Sequence, residues 1–137
     1  MVMKKAQKVV DKFIELFNTT PLVVQAPGRI NLIGEHVDYN LGTVLPATIN
    51  KRIYLAISER TDTEVHIVSS DFDDRFSTNL DSLSSAKLWP QYVLGPMSEI
   101  QKRVTFLNGF NIVFGGDIPL SAGLSSSAAL TVAVTFA

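Results

Sequence analysis

The chain has no cysteine in its 137 residues, which excludes disulfides, thiolate metal sites and thiol catalysis and is compatible with a reducing compartment. It has no surplus of one charge either. Twelve Lys plus Arg stand against thirteen Asp plus Glu, for a net charge of −1, so a general electrostatic footprint for nucleic acid or an anionic membrane is excluded. Any polyanion site has to be local. Long apolar runs are missing as well: the stretches near Ile112 and from Ala128 to Ala137 fall far short of the ~20 residues a membrane span needs. At the start, MVMKKAQKVVDKF, the residues Lys8, Asp11 and Lys12 interrupt any signal-peptide core. The chain is expected to be soluble, without an export signal. There is no internal repeat and no low-complexity linker, and neither G-K-[ST] nor G-x-G-x-x-G, the two familiar nucleotide motifs, occurs.

What is present suits one globular domain. A hydrophobic content of 46% over this length is enough to bury roughly two thirds of the unfolded surface. Val9, Val10, Phe13, Ile14 and Phe17 recur at helical spacing, which predicts an amphipathic first helix whose lysines form a solvated face, ended by Asn18-Thr19-Thr20-Pro21. Residues 22–26 and 30–33 read as short strands separated by a tight turn at Pro27-Gly28 that delivers Arg29. Alternation over 48–58 and 65–69 predicts two paired strands joined at Asp62-Thr63. An edge strand is expected over 72–78 and a surface connection over 79–87. A helix opens at Trp89-Pro90 and runs through Arg103, a buried strand spans 110–114 and closes at Gly115-Gly116, and an apolar helix follows the loop PLSAGLSSS.

Two segments carry chemistry. In Pro119-Leu-Ser-Ala-Gly-Leu-Ser-Ser-Ser-Ala-Ala-Leu130, small residues between a strand and a helix let backbone N–H groups approach an anion, and the helix start adds free donors and the positive end of the dipole. The serine hydroxyls can cap the helix, bond phosphate or offer an oxygen to a divalent cation. An ordinary loop with a serine cap is the alternative. In GRINLIGEHVDYNLG, residues 28–42, Arg29 is a permanently charged donor fork, Glu35 and Asp38 are acceptors, and His36 can do either. Such a set suits a polyhydroxylated ligand. Taken singly, each of these residues also fits an ion-pair cluster at a turn, since 38–42 is turn-like in composition.

Taken together, the two segments resemble a known family. GRINLIGEHVDYNLG resembles the galactokinase signature, and PLSAGLSSSAAL is similar to the nucleotide loop of the wider GHMP group of galactokinase, homoserine, mevalonate and phosphomevalonate kinases. LWPQYVLG, with Trp89, Tyr92 and Gly95, is similar to a further galactokinase segment, so the resemblance covers the chain from about Val23 onward. It implies a mixed α+β fold with helices on one side of the sheet, like ribosomal protein S5 domain 2. The 137 residues are then a single N-terminal sugar- and ATP-binding domain, truncated within the helix after the serine loop.

The resemblance also implies roles. Arg29 takes the place of the arginine that stabilises the transition state. Glu35, His36, Val37 and Asp38 form the sugar-binding run, with Val37 where many members have threonine. Ser121, Ala122, Gly123, Leu124, Ser125, Ser126 and Ser127 match the loop around the ATP phosphates, and Ser127 the serine associated with Mg²⁺. Trp89 and Tyr92 fall on the adenine side, with plain core packing as the alternative for both. The implied reaction moves the γ-phosphoryl group of ATP to the anomeric hydroxyl of galactose in a cytoplasmic monomer, with galactose and ATP as its only partners. An N-acetylgalactosamine kinase and a non-catalytic sugar sensor are the alternatives. The family's catalytic base lies beyond the serine loop, so the 137 residues alone are expected to be inactive.

Overall fold

The computed structural model of the chain describes residues 2–34, 37–106, 108–119 and 123–137. In chain order they form α1 (Val2–Phe17), β1 (Leu22–Ile33), β2 (Leu45–Glu59), β3 (Glu64–Ser69), β4 (Asp74–Asn79), α2 (Leu88–Gln101), β5 (Phe110–Gly116) and α3 (Ser126–Phe136). Short 3₁₀ turns occupy Asp38–Asn40 and Leu80–Ser82. The strands make one mixed sheet in the order β1-β2-β5-β3-β4. β5 runs parallel to β3, and the other neighbours are antiparallel.

The placing of β5 follows from its composition. Asn111, Ile112, Val113 and Phe114 are all buried, a pattern that only a strand covered on both faces can satisfy. It therefore takes the middle of the sheet and separates β2 from β3, which were expected to pair with each other. The 60–63 connection spans the gap. The Arg60 N–H donates to the Gly109 carbonyl at 2.9 Å, and the Gly109 N–H to the Asp62 carbonyl at 2.6 Å.

Residues 22–33 form one strand and not two. Pro27 has no N–H to give to a ladder, and β1 lies at the sheet's edge, where that loss is tolerated. The register slips between Pro27 and Arg29, so the expected turn is a bulge that bends the strand without breaking it.

The expected mixed α+β class holds, but helices cover both faces of the sheet and not one side as expected, because the strands bury apolar residues on both faces. Alternate strand residues point opposite ways. Leu55, Ile67, Ile112 and Phe114 meet α2 and α3 through Val93, Leu94, Met97, Ala129, Leu130 and Ala133. Tyr54, Ala56, Val68 and Val113 meet α1 through Val9 and Phe13. Burying these side chains contributes about 1.5–3 kcal/mol for each large one. Asn18, in the left-handed region at φ 49°, ends α1 as its N–H donates to the Ile14 carbonyl at 2.9 Å.

α2 carries Pro90 within its first turn, where no N–H partner is needed, and Pro96 in its interior. The Tyr92 carbonyl that Pro96 cannot serve receives the Thr131 hydroxyl of α3 at 3.4 Å. A packing defect in one helix thus becomes a tie to the other. The 79–87 connection is not all surface, since Leu80 is buried under its 3₁₀ turn. No helix among the described residues is long and apolar enough to cross a membrane.

Candidate functional site

β5 ends at a fastened corner. The Asp117 carboxylate accepts the Arg52 N–H at 2.8 Å, the Asp117 N–H donates to the Arg52 carbonyl at 3.1 Å, and Lys51 Nζ lies 3.6 Å from the same carboxylate. Asp71 does the same for the glycine pair by accepting the Gly116 N–H at 2.8 Å. The chain leaves this corner along a fixed path through buried Ile118. Past 120–122 it returns at Gly123, in the left-handed region at φ 67°, and Ser125, at φ 58°, sits immediately before α3.

Ser125 stands at the N-cap of α3 without using its hydroxyl as a cap. The first-turn N–H groups of a helix lack acceptors within the helix, and the first turn of α3 holds no acidic residue to neutralise the dipole. An anion is thereby favoured there over a carboxylate of the helix itself.

β1 closes on this loop directly. The Arg29 N–H donates to the Leu124 carbonyl at 3.2 Å. At Gly28 a Cβ would stand 2.9 Å from that oxygen and 3.1 Å and 3.2 Å from the Ile118 and Ile49 methyls, so only glycine allows the two segments to meet. The arginine motif and the serine loop, nearly a hundred residues apart in sequence, share a main-chain boundary. Arg29 itself is exposed, and its charge is free to address a ligand.

A cavity of about 470 Å³ opens beside α3, lined by Trp89, Tyr92, Phe114, Ser126 and Ser127 among others, with Lys5 of α1 at its rim. The two aromatics and the two serines that the sequence singled out thus face one space. A lining of aromatic and aliphatic side chains with Ser126 and Ser127, and with Asp71 and Asp117 also present, suits a heteroaromatic group with polar substituents. A larger hollow of about 600 Å³ along α1 holds Lys4, Lys8, Asp11, Lys12 and Glu15. Within it the Gln7 amide donates to Asp11 at 2.8 Å and Lys12 lies 3.5 Å from Glu15, and none of the motif residues lines it.

Glu35, His36, Ser121 and Ala122 lie outside the described residues, as does the side chain of Asp38. Around them, the Val37 carbonyl accepts from the Asn40 and Gly42 N–H groups at 3.0 and 2.8 Å, which makes 37–42 the expected turn. Asp71, Asp74, Asp117 and the close fit of Gly28 were missed by sequence reasoning. The Gly115-Gly116-Asp117 run hinted at a shaped corner, but no local pattern shows which distant backbone an aspartate will hold.

The comparisons agree with this geometry. Residues 11–59 match the family model described as the galactokinase galactose-binding signature, and residues 91–137 match the GHMP kinases N-terminal domain. A curated galactokinase of Haemophilus influenzae strain PittGG is 45% identical over 120 residues, covering 85% of this chain and 31% of its own length. The chain therefore spans about a third of the length of the curated relatives it matches. The solved structure of Lactococcus lactis galactokinase complexed with galactose superposes with a TM-score of 0.83 at 36% identity, over 93% of this chain and 35% of that one. The Methanococcus jannaschii mevalonate kinase, at 20% identity and a TM-score of 0.68 over 85% of this chain and 38% of that one, shares the fold.

Proposed function

We propose that the chain is the counterpart of the N-terminal portion of a galactokinase of the GHMP kinase family, and that the whole protein transfers the γ-phosphoryl group of ATP to the anomeric hydroxyl of galactose. The observation that carries this reading is the shared boundary of the two motifs, the Arg29 N–H bonded to the Leu124 carbonyl. Phosphoryl transfer is mainly positioning and charge neutralisation. A sugar motif and a phosphate loop that abut serve both needs.

In this reading residues 121–127 and the start of α3 hold the phosphates through backbone N–H groups and serine hydroxyls. Trp89 and Tyr92 wall the adenine. Arg29, exposed beside the loop, offsets the charge that develops on the transferred group. Glu35, His36 and Asp38 bond the sugar hydroxyls, with Val37 shaping the turn between them. An epimer with one hydroxyl reversed would leave a carboxylate unpaired, and that penalty gives the discrimination between galactose and glucose.

Mg²⁺ fits the donor set at the loop. It prefers hard oxygens and takes few from protein when it travels with nucleotide phosphates, and the Ser127 hydroxyl lines the cavity where such phosphates would end. When bound, the ion would neutralise phosphate charge, with Ser127 as its protein oxygen. The need for ATP supports a cytoplasmic enzyme.

A coupled ATPase assay of the full-length protein with galactose, N-acetylgalactosamine, mevalonate and homoserine tests the proposal. Turnover with galactose and background rates with the other three are expected. A preference for another substrate, or galactose binding without any turnover, would overturn it, the latter in favour of a sugar sensor. The isolated 137 residues are expected to give no turnover.

A further inference from the structure

We infer that Asp74 is a positioning residue for the nucleotide site, holding the Trp89 indole as a fixed wall of the 470 Å³ cavity. The inference rests on the reading of that cavity as the adenine side of an ATP site. Asp74 opens β4, and its carboxylate reaches across to the start of α2. It accepts the Trp89 indole N–H at 2.9 Å and the Lys87 ammonium at 3.0 and 3.1 Å, while the Arg75 N–H donates to it at 2.8 Å. Three donors from three residues fix the carboxylate's orientation. The indole, with a single N–H to give, is then fixed by it.

Among the described residues, nothing else at this end of α2 does the same work. Lys87, the N-cap residue, makes no side-chain cap. Trp89 is only half-buried, lines the cavity, and has its ring 5.7 Å from that of Phe114 at a tilt of 52°. A half-buried aromatic on the first turn of a helix retains rotamer freedom unless its polar edge is anchored. Anchoring it before the ligand arrives removes an ordering cost that binding would otherwise meet. The indole first, and then Lys87, hold the Asp74 carboxyl below the usual carboxylate range, so the acceptor stays ionised under the conditions in which a kinase works.

The test compares Asp74→Ala, Asp74→Asn, Lys87→Met, Trp89→Phe and the Asp74→Ala/Trp89→Phe double variant of the full-length protein. It reads kcat and the KM values for ATP and galactose. Asp74→Ala is expected to raise the ATP KM about fivefold, the scale of one hydrogen bond, with kcat and the galactose KM within about twofold. Asp74→Asn keeps an oxygen for the indole and is expected to rescue the ATP KM. Lys87→Met removes one of the three donors but leaves the indole and Arg75 N–H bonds in place, and is expected to raise the ATP KM less than Asp74→Ala does. Once Trp89→Phe has removed the donor, Asp74→Ala is expected to add nothing further.

An unchanged ATP KM in Asp74→Ala, alongside a raised one in Trp89→Phe, would overturn the inference and leave the cavity reading intact. A fully additive double variant would do the same. No effect of Trp89→Phe on ATP would overturn the cavity reading itself. Should Asp74→Ala not fold, the Trp89 indole N–H resonance decides: slow solvent exchange in wild type and in Asp74→Asn is expected, and fast exchange would overturn the inference.

Discussion

Arg29 and Leu124 meet through the main chain, N–H to carbonyl at 3.2 Å, with Gly28 packed so closely that a Cβ would stand 2.9 Å from the same oxygen. The strand that presents the arginine is therefore also the floor of the serine loop, and a change in one is felt in the other.

Gly28→Ala probes that contact. The methyl meets a backbone oxygen on one side and the Ile118 and Ile49 methyls on the others, so the loop has to shift. Overpacking of this kind costs about 1–3 kcal/mol, which a thermal or urea melt would register. The ATP KM is expected to rise more than the galactose KM, because it is the loop that yields. Steady-state kinetics with each substrate varied in turn check this, and an unchanged ATP KM would show that the contact is not felt at the phosphates.

Much of this arrangement is legible in the residues themselves. Val9 and Phe13 mark α1 by spacing, and among its described side chains they are the buried pair. The glycine and serine of 123–125 mark a break before a helix, and α3 does begin at Ser126. Pairing was harder. β3 and β5 run parallel across forty residues that include a helix, and nothing in the run 65–69 names Phe110 or Ile112 as its partner. Pro27-Gly28 looked like a turn because its edge position, which permits a bulge, is a property of the whole sheet. The bond from Trp89 to Asp74 likewise depends on where the end of β4 lies against α2, which no periodicity records.

Arg29→Lys separates charge from geometry. The main-chain bond to Leu124 survives the substitution, so the loop keeps its shape, but the planar fork becomes a point charge on a flexible stem. A loss in kcat of about a hundredfold is expected, the scale of one transition-state donor, with both KM values within a few-fold. A rise in KM at constant kcat would instead make Arg29 a ground-state binding residue.

Asp38→Asn tests the sugar end. The change is nearly isosteric and removes an acceptor charge, so galactose affinity is expected to fall about tenfold or more, as for loss of a charged hydrogen-bond partner. The fold is expected to remain, because the 37–42 turn is held by backbone bonds to the Val37 carbonyl. Calorimetric titration with galactose, alongside a thermal melt, would distinguish this from a structural role, in which stability falls and affinity does not.

Far from the site, Asp62 sets an acid limit on stability. Arg60 donates to both its oxygens at 2.6 Å, and the Glu64 N–H adds a third bond at 3.1 Å. These bonds, Arg60 first, lower the Asp62 carboxyl to about 2 from an ordinary 3.8. The native state thus takes up the proton less readily than the unfolded chain. The stabilisation is complete above the unfolded value and is lost as pH falls from about 4 through about 2. Asp62→Asn is therefore expected to be less stable than wild type at neutral pH, with the difference closing across that interval. The Asp62 carboxylate is open to solvent, so salt is expected to shrink the difference at neutral pH. Thermal melts of both proteins from pH 7 down to pH 2, at low and high ionic strength, would measure it. A gap that stayed constant with pH would mean that the substitution acts through packing at the 60–63 connection and not through the charge on Asp62.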